Sequence, residues 1–386
     1  MFGQKKPICP FCFSDCEVSD VEHYCGKCHS FIPKEVLTSR LFPIAVVGSS
    51  AAGKTHFLTV LAHLLCEGVV WPSFWTVTRI IRHADDSISR SANDESDDEF
   101  VNCEEKLYPQ QAASGMILKQ TEPPSEAAPP LSLVIHISYE KGFANRMKEP
   151  YHKQDVLLAF TDTAGEDFLR TDMRWEDVGR KYPIIGRELA EGLIALLNPM
   201  QLSSVRNECQ SANPALKKSY EQSGLSLSAS VMLQKVLSKR EIRNSMKMKP
   251  LAVCLSKTDA LVAINKLDVQ DYLAGTADIV CHAGKDEGCI QLQELQDLST
   301  RTEAYLAEMD GDDGYQEGHP KDGGISAAAR FFKYRSFFAT DALGPAIQTA
   351  RLVNSDDRMF SGMPVPRRVL DPLLWILWQH GLVGGC

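Results

Sequence analysis

Residues 44–55 read Ile44-Ala45-Val46-Val47-Gly48-Ser49-Ser50-Ala51-Ala52-Gly53-Lys54-Thr55, and a helical run, THFLTVLAHLL, continues from Thr55. Residues 48–55 match the pattern GxxxxGK[ST] in full. An apolar strand before the loop and a helix after it supply the context that the pattern requires. Small residues let the backbone curl until its N–H groups surround phosphate oxygens. Lys54 is then placed to reach the β and γ oxygens, and the Thr55 hydroxyl to ligate Mg²⁺.

Outward from this loop, apolar runs alternate with helical stretches. Strands are expected at 43–47, 131–139, 156–160, 192–197, 251–255 and 337–339, with a helix at 55–65. Short buried β-rich runs separated by helices predict an α/β fold with a mostly parallel sheet. Residues 139 and 156 are joined by a short Gly- and Pro-containing connection without a helical period, which makes those two strands an antiparallel pair. Inserts are expected at 82–130, 201–250 and 308–324. The first carries an acidic block and TEPPSEAAPP, the second is polar and then basic, and the third (EMDGDDGYQEGHPKDGG) reads as a flexible loop. The low apolar content of the first and third predicts mobile segments. No internal repeat is visible. The domain reading is 1–40, then 41–386.

The chain has 386 residues, 44% hydrophobic and 24% charged, enough to bury a sizeable core. Its net charge of −9 is concentrated: residues 85–105 hold nine acids against Arg90, a local −8 that leaves the remainder near −1. No global basic field is available for nucleic acid or an anionic membrane. No apolar stretch approaches the ~20 residues of a membrane span, and residues 1–10 lack a signal-peptide run. A soluble, cytoplasmic protein is expected.

Five of the twelve cysteines fall in the first 28 residues. Cys9-Pro-Phe-Cys12 and Cys25-Gly-Lys-Cys28 are two CxxC pairs, each able to turn two thiolates toward one ion, and four soft sulfurs suit a closed tetrahedral Zn²⁺ site. Cys16, His23 and His29 are nearby substitutes. Residues 1–40 carry five bases and five acids, so this zinc ribbon reads as a docking or stabilising module and not as a nucleic-acid binder.

Three further segments complete a pattern. Residues 155–161 run into Asp162-Thr163-Ala164-Gly165-Glu166: an acid at the end of a buried strand can hold a Mg²⁺ shell, and Gly165 lets its backbone N–H meet a γ-phosphate. Residues 251–255 precede Ser256-Lys257-Thr258-Asp259, similar to an [NT]KxD motif whose carboxylate takes two donors of guanine and rejects adenine. Ser256 stands where Asn or Thr is usual, keeping a hydroxyl and losing the amide. The run at 337–340 ends at Asp341-Ala342-Leu343-Gly344, which resembles the GTPase segment whose Ser-Ala pair offers the Ala N–H to guanine O6, with Asp341 in place of the Ser; Asp341 reads equally well as a helix cap.

The set GSSAAGKT, DTAGED, SKTD and DALG, in this order, resembles the translation-factor and Ras-like class of P-loop GTPases across about residues 41–350. The ribbon in front, the GEDF after DTA, the segment ELAEGLIALLNPMQL and the closing PRRVLDPLLWILW are similar to the zinc-ribbon "double-GTPase" domains of bacterial conflict and antiphage defence systems. The resemblance implies a Ras-like P-loop fold with one antiparallel strand, GTP or GDP with Mg²⁺ as ligands, and other protein subunits as partners. It implies nucleotide contacts from Gly48, Ser50, Ala51, Ala52, Gly53, Lys54, Thr55, His56, Asp162, Gly165, Lys257, Asp259 and Ala342.

Hydrolysis would draw on Lys54, Glu166 and Thr121. Glu166 occupies the place of a water-orienting Gln, and its charge opposes a γ-phosphate, so slow unaided turnover is expected. Thr121, on a Pro-rich loop before the strand at 131, is the leading candidate for a further Mg²⁺ ligand beside Thr55 and Asp162; Thr76 and Thr78 are the alternatives. Positive charge in cis could come from Arg170, Arg174, Arg180 or Arg187, whose plain reading is a solvated helix face. A nucleotide-holding scaffold with little hydrolysis is the rival reading.

Overall fold

The computed structural model describes residues 7–16, 24–33, 37–48, 52–66, 75–80, 99–108, 114–116, 118, 132–139, 155–162, 180, 182–202, 205, 207–208, 211, 244, 246–258, 261, 289–313, 325–344, 351–352, 358–361 and 364–386. Among them the elements run β1 (Arg40–Gly48), α1 (Lys54–Cys66), β2 (Trp75–Ile80), α2 (Glu99–Leu107), β3 (Ser114–Met116), β4 (Ser132–Tyr139), β5 (Val156–Asp162), α3 (Pro183–Gly186), β6 (Gly192–Leu197), β7 (Leu251–Leu255), α4 (Leu292–Asp313), α5 (Ile325–Ala329), β8 (Arg335–Ala339), β9 (Arg351–Leu352), β10 (Arg358–Ser361) and α6 (Asp371–Gln379).

Seven strands form one sheet in the order β2-β4-β5-β1-β6-β7-β8. β4 runs antiparallel to both of its neighbours, and every other pairing is parallel. The central strands explain the parallel arrangement. Every residue of β5, β6 and β7 is buried, as continuous Val, Leu and Ile runs must be when helices cover both faces of a sheet. α1 lies against β1, β2, β4 and β5, α4 against β8, and α6 against β6 and β7. Leu373, Leu374, Trp375, Ile376 and Leu377 of α6 are all core residues.

The register decides where a ligand could sit. Val46 pairs with Asp162, Gly48 with Leu196, and Leu255 with both Leu197 and Ala339. The carboxyl ends of β1, β5, β6, β7 and β8 therefore share one rim, the edge at which open α/β sheets bind ligands. β4 starts at that rim, since Ser132 pairs with Thr161.

Several expectations are corrected. β2 extends the sheet by one unforeseen edge strand, whose Thr-Val-Thr alternation gives exposed Thr76 and Thr78. Thr76 pairs with Ser138 and Thr78 with His136, opposite the first residues of β5. Both threonines therefore lie toward the far end of the sheet from Asp162, too far to share a ligand with it. The insert at 82–130 contains α2, with Cys103 and Leu107 buried, and β3, which joins β10 and β9 in a three-stranded sheet. The expected loop at 308–324 starts instead as helix, because α4 runs on to Asp313 with Met309 still buried. The N-terminal 40 residues also hold a repeat that the sequence reading passed over.

Candidate functional site

That repeat builds a four-cysteine cluster that could hold a metal ion. With an offset of 16 residues, Cys9-x-x-Cys12-Phe13-Ser14 matches Cys25-x-x-Cys28-His29-Ser30. The backbone repeats as well. Cys9 N–H donates to Ser14 O at 2.9 Å and Cys25 N–H to Ser30 O at 3.0 Å, while Phe13 N–H and His29 N–H return to the Cys9 and Cys25 carbonyls, both at 2.9 Å. Phe13 and His29 are both left-handed, at φ 55° and 53°. Each knuckle closes with an antiparallel bridge, Ile8 to Asp15 and Tyr24 to Phe31.

The two knuckles face each other. The four sulfurs lie within 4.8 Å of one another, with Cys9 Sγ 3.7 Å from Cys28 Sγ and Cys12 Sγ 3.5 Å from Cys25 Sγ. A disulfide needs about 2.05 Å, whereas Zn–S bonds of about 2.3 Å in a tetrahedron set the sulfurs roughly 3.8 Å apart. These spacings fit the ion and exclude the bond. Contacts with Cys12, Cys16, Cys28 and Cys9 hold the Cys25 thiol below its ordinary range, while the same mutual contacts push Cys9 and Cys12 up. Cys16 is buried nearby with its thiol pushed up to about 12, chiefly by Cys25, and lies outside the four-sulfur group. His29 spends its position on the knuckle's turn. His23 lies outside the described residues.

The ribbon is seated on the sheet. Cys9, Phe11, Cys12, Cys16, Cys25 and Ile32 form one apolar cluster with Val134 of β4 and Leu157 of β5. Ser132 Oγ donates to Phe11 O at 2.7 Å, and Arg187 donates to Phe13 O at 2.5 Å and to Asp15 Oδ1 at 2.9 Å. Arg187, one of the arginines considered for catalysis, is instead a clasp on the first knuckle. Arg180 is exposed, and Arg170 and Arg174 lie outside the described residues.

At the rim, Gly48, Ala52, Gly53, Lys54 and Thr55 are brought together with Asp162. Lys54 is buried at the start of α1 and its ammonium donates to Gly48 O at 3.1 Å, folding the side chain back toward the end of β1. Thr55 Oγ1 donates to Asp162 Oδ2 at 2.5 Å, joining residues 107 apart in sequence. A hydroxyl that gives its proton to a carboxylate keeps lone pairs for a cation, so the pair is chemically fit for Mg²⁺. Gly53 has φ +82°, and a Cβ there would stand 3.5 Å from Lys257 Cε. The Lys257 stem thus passes over the loop, held by its own left-handed backbone at φ 52°.

Ser256 Oγ lies 2.8 Å from Ala52 O and 3.0 Å from Leu197 O, donating between them. The hydroxyl that replaces the usual amide still ties this motif to the loop. Thr258 Oγ1 reaches Thr340 O at 3.3 Å, linking it to the next strand end. There Asp341 Oδ1 accepts from Leu343 N–H at 3.2 Å and Gly344 N–H at 2.9 Å, the hydrogen bonding that a capping carboxylate makes. Ala342 is left half-buried between them. Gly344, at φ +61°, admits no side chain, since a Cβ would meet Val365 O at 2.2 Å.

His56 contributes its ring elsewhere: Nε2 accepts the Leu118 N–H at 3.1 Å. Burial, with the Lys257 charge, lowers its pKa to about 3, so it stays a neutral acceptor. Sequence reading missed this tie, the Ser256 bridge and the Arg187 clasp, because each joins distant segments. Ser50, Ala51, Thr121, Gly165, Glu166 and Asp259 lie outside the described residues.

No protein-family model matches the chain, and no curated protein matches it. A solved structure of an SsGBP mutation variant aligns with 10% identity and a TM-score of 0.29, covering 88% of this chain and 57% of the other. The chain thus spans little more than half the length of that structure's chain, and a likeness at this level decides neither fold nor function.

Proposed function

We propose that the chain is a GTP-binding and GTP-hydrolysing switch with a structural zinc ribbon. One observation carries this reading: Lys54 and Thr55, which end the GxxxxGK[ST] sequence, meet Gly48 and Asp162 at the carboxyl rim of the sheet's parallel strands. The loop N–H groups and Lys54 would hold the β- and γ-phosphates, with Mg²⁺ carried by Thr55, Asp162 and Thr121. The ion would neutralise phosphate charge. Lys257, lying over Gly53, and Asp259, two residues on, would read guanine, and the Asp341 turn would present the Ala342 N–H. Glu166 would orient water against an opposing charge, giving slow turnover without a partner.

Residues 82–130 and 165–190 are the segments that would report the γ-phosphate. The ribbon touches Ser132 and Arg187, near where both rejoin the sheet, so it stands where such a report would be felt. Membership in a multi-protein bacterial defence system rests on the sequence resemblance alone. The rival, a nucleotide-holding scaffold, is separated by phosphate release. Glu166→Ala should leave GTP affinity nearly intact and slow release by tenfold or more, each tenfold being about 1.4 kcal/mol of barrier. Unchanged release, measured with co-purifying proteins present, would favour the scaffold.

A further inference from the structure

The end of the sheet opposite the nucleotide rim carries a surface that the proposed switch does not use. Lys247, Met248, Arg330, Phe331, Lys333, Tyr334 and Arg335 are all exposed there. The two segments that carry them adjoin, since Lys333 N–H donates to Lys247 O at 2.9 Å, Leu251 N–H to Tyr334 O at 3.0 Å, and Leu251 pairs with Arg335; the nearby Glu191 carboxylate is taken up by Lys249. Met248 is 53% exposed, Phe331 47% and Tyr334 36%, making them three of the five large apolar side chains exposed among the described residues. Neither Met246-Lys-Met-Lys-Pro250 nor Arg330-Phe-Phe-Lys-Tyr-Arg335 contains an acid. In a chain of net charge −9, four exposed cations around three exposed apolar side chains are a local inversion of the overall charge.

We infer that this patch is a peripheral docking surface for an anionic lipid bilayer. Charge complementarity calls for an anionic partner, and the apolar side chains call for one with an accessible apolar layer beneath its charge. A bilayer interface offers both, taking Phe331 and Met248 into the headgroup and acyl boundary while the cations stay among the phosphates. Single-stranded nucleic acid is the less suitable anion. Its bases need open aromatic faces, but the most exposed apolar side chain is Met248, and the Lys333 ammonium already lies 5.0 Å over the Tyr334 ring. Each cation near an anionic surface contributes roughly fivefold in affinity, so binding is reversible and salt-sensitive. This inference does not depend on the nucleotide assignment, since the patch lies at the far end of the strands.

The test is co-sedimentation of the full chain with vesicles of phosphatidylcholine alone and of phosphatidylcholine mixed with anionic phosphatidylglycerol. The expected result is binding to the anionic vesicles only, weakened at least tenfold by Lys247→Glu with Lys333→Glu and by Phe331→Ser with Met248→Ser. These positions are exposed, so thermal unfolding of the variants should match the parent and separate lost binding from lost folding. Absence of anionic-vesicle binding by the parent, or binding that both double variants retain, overturns the inference. Binding of an oligo-dT strand that is lost with Phe331→Ser, without vesicle binding, would reassign the patch to nucleic acid.

Discussion

The cysteine ribbon and the rim at the carboxyl ends of the strands are built on opposite plans. All four sulfurs of the ribbon come from within 20 residues, and each pair is fixed by hydrogen bonds that span four or five residues. The rim takes Thr55 and Asp162 from 107 residues apart and Ser256 and Ala52 from 204 apart. A local site can be nearly complete in its own geometry, whereas a distributed one exists only when the whole sheet is in register. The ribbon nonetheless depends on the domain, because Phe11, Cys16 and Ile32 share their apolar cluster with Val134 and Leu157.

The sharpest way to break the comparison is to remove the metal. Cys9→Ser should reduce zinc from one per chain to well below that. Loss of the ion removes what holds two short knuckles together and uncovers the sheet surface beneath them, so domain stability should fall by more than about 3 kcal/mol. Elemental analysis and denaturant unfolding would check it. Zinc loss without any change in unfolding would mean that the ribbon is an appendage and not part of the core.

A smaller effect belongs to the rim. The His56 pKa lies at about 3 in the folded chain against an ordinary 6.5, so between these values the unfolded chain binds a proton that the folded chain refuses. The contribution is fully present above pH 6.5 and is lost as pH falls below it, by about 1.4 kcal/mol per unit, or about 2 kcal/mol at pH 5. His56→Gln keeps an acceptor for Leu118 N–H without titrating, and should flatten that part of the stability profile. An unchanged slope would remove His56 from the account.

The smallest effect is expected at the joint between the regions. Arg187→Ala removes one hydrogen bond to Phe13 O and one ion pair with Asp15 whose partners are 40% and 57% exposed. Such a pair contributes little in water, so the loss should be about 1 kcal/mol with zinc fully retained. Metal release from this variant would show that the clasp also shapes the cluster.

The sequence was most legible where a signal is local and repeated in spacing. The paired CxxC motifs come together as their spacing implies, the buried runs at 192–197 and 251–255 are strands with those bounds, and the antiparallel pairing of β4 with β5 follows from a connection too short for a helix. What escaped was held together by distant partners or masked by composition. α2 lies inside an acidic block, and it is fastened by Glu104, which meets His63 at 2.8 Å and Arg79 at 2.6 Å. The end of α4 reads as a loop because Gly311 and three aspartates fill it, yet Met309 carries it into the core. The tie from Ser256 to the Ala52 carbonyl spans 204 residues, which no local pattern shows.

The central claim is that this rim binds guanine nucleotide through its phosphates, and direct titration tests it with least intervening inference. Zinc-loaded protein should bind GTP in the presence of Mg²⁺ at least tenfold more tightly than ATP, and Lys54→Ala, which removes the ammonium now resting on Gly48 O, should weaken GTP by at least a hundredfold while leaving zinc content unchanged. Equal affinity for ATP and GTP would contradict the guanine assignment. GTP affinity that survives Lys54→Ala unaltered would contradict the site itself.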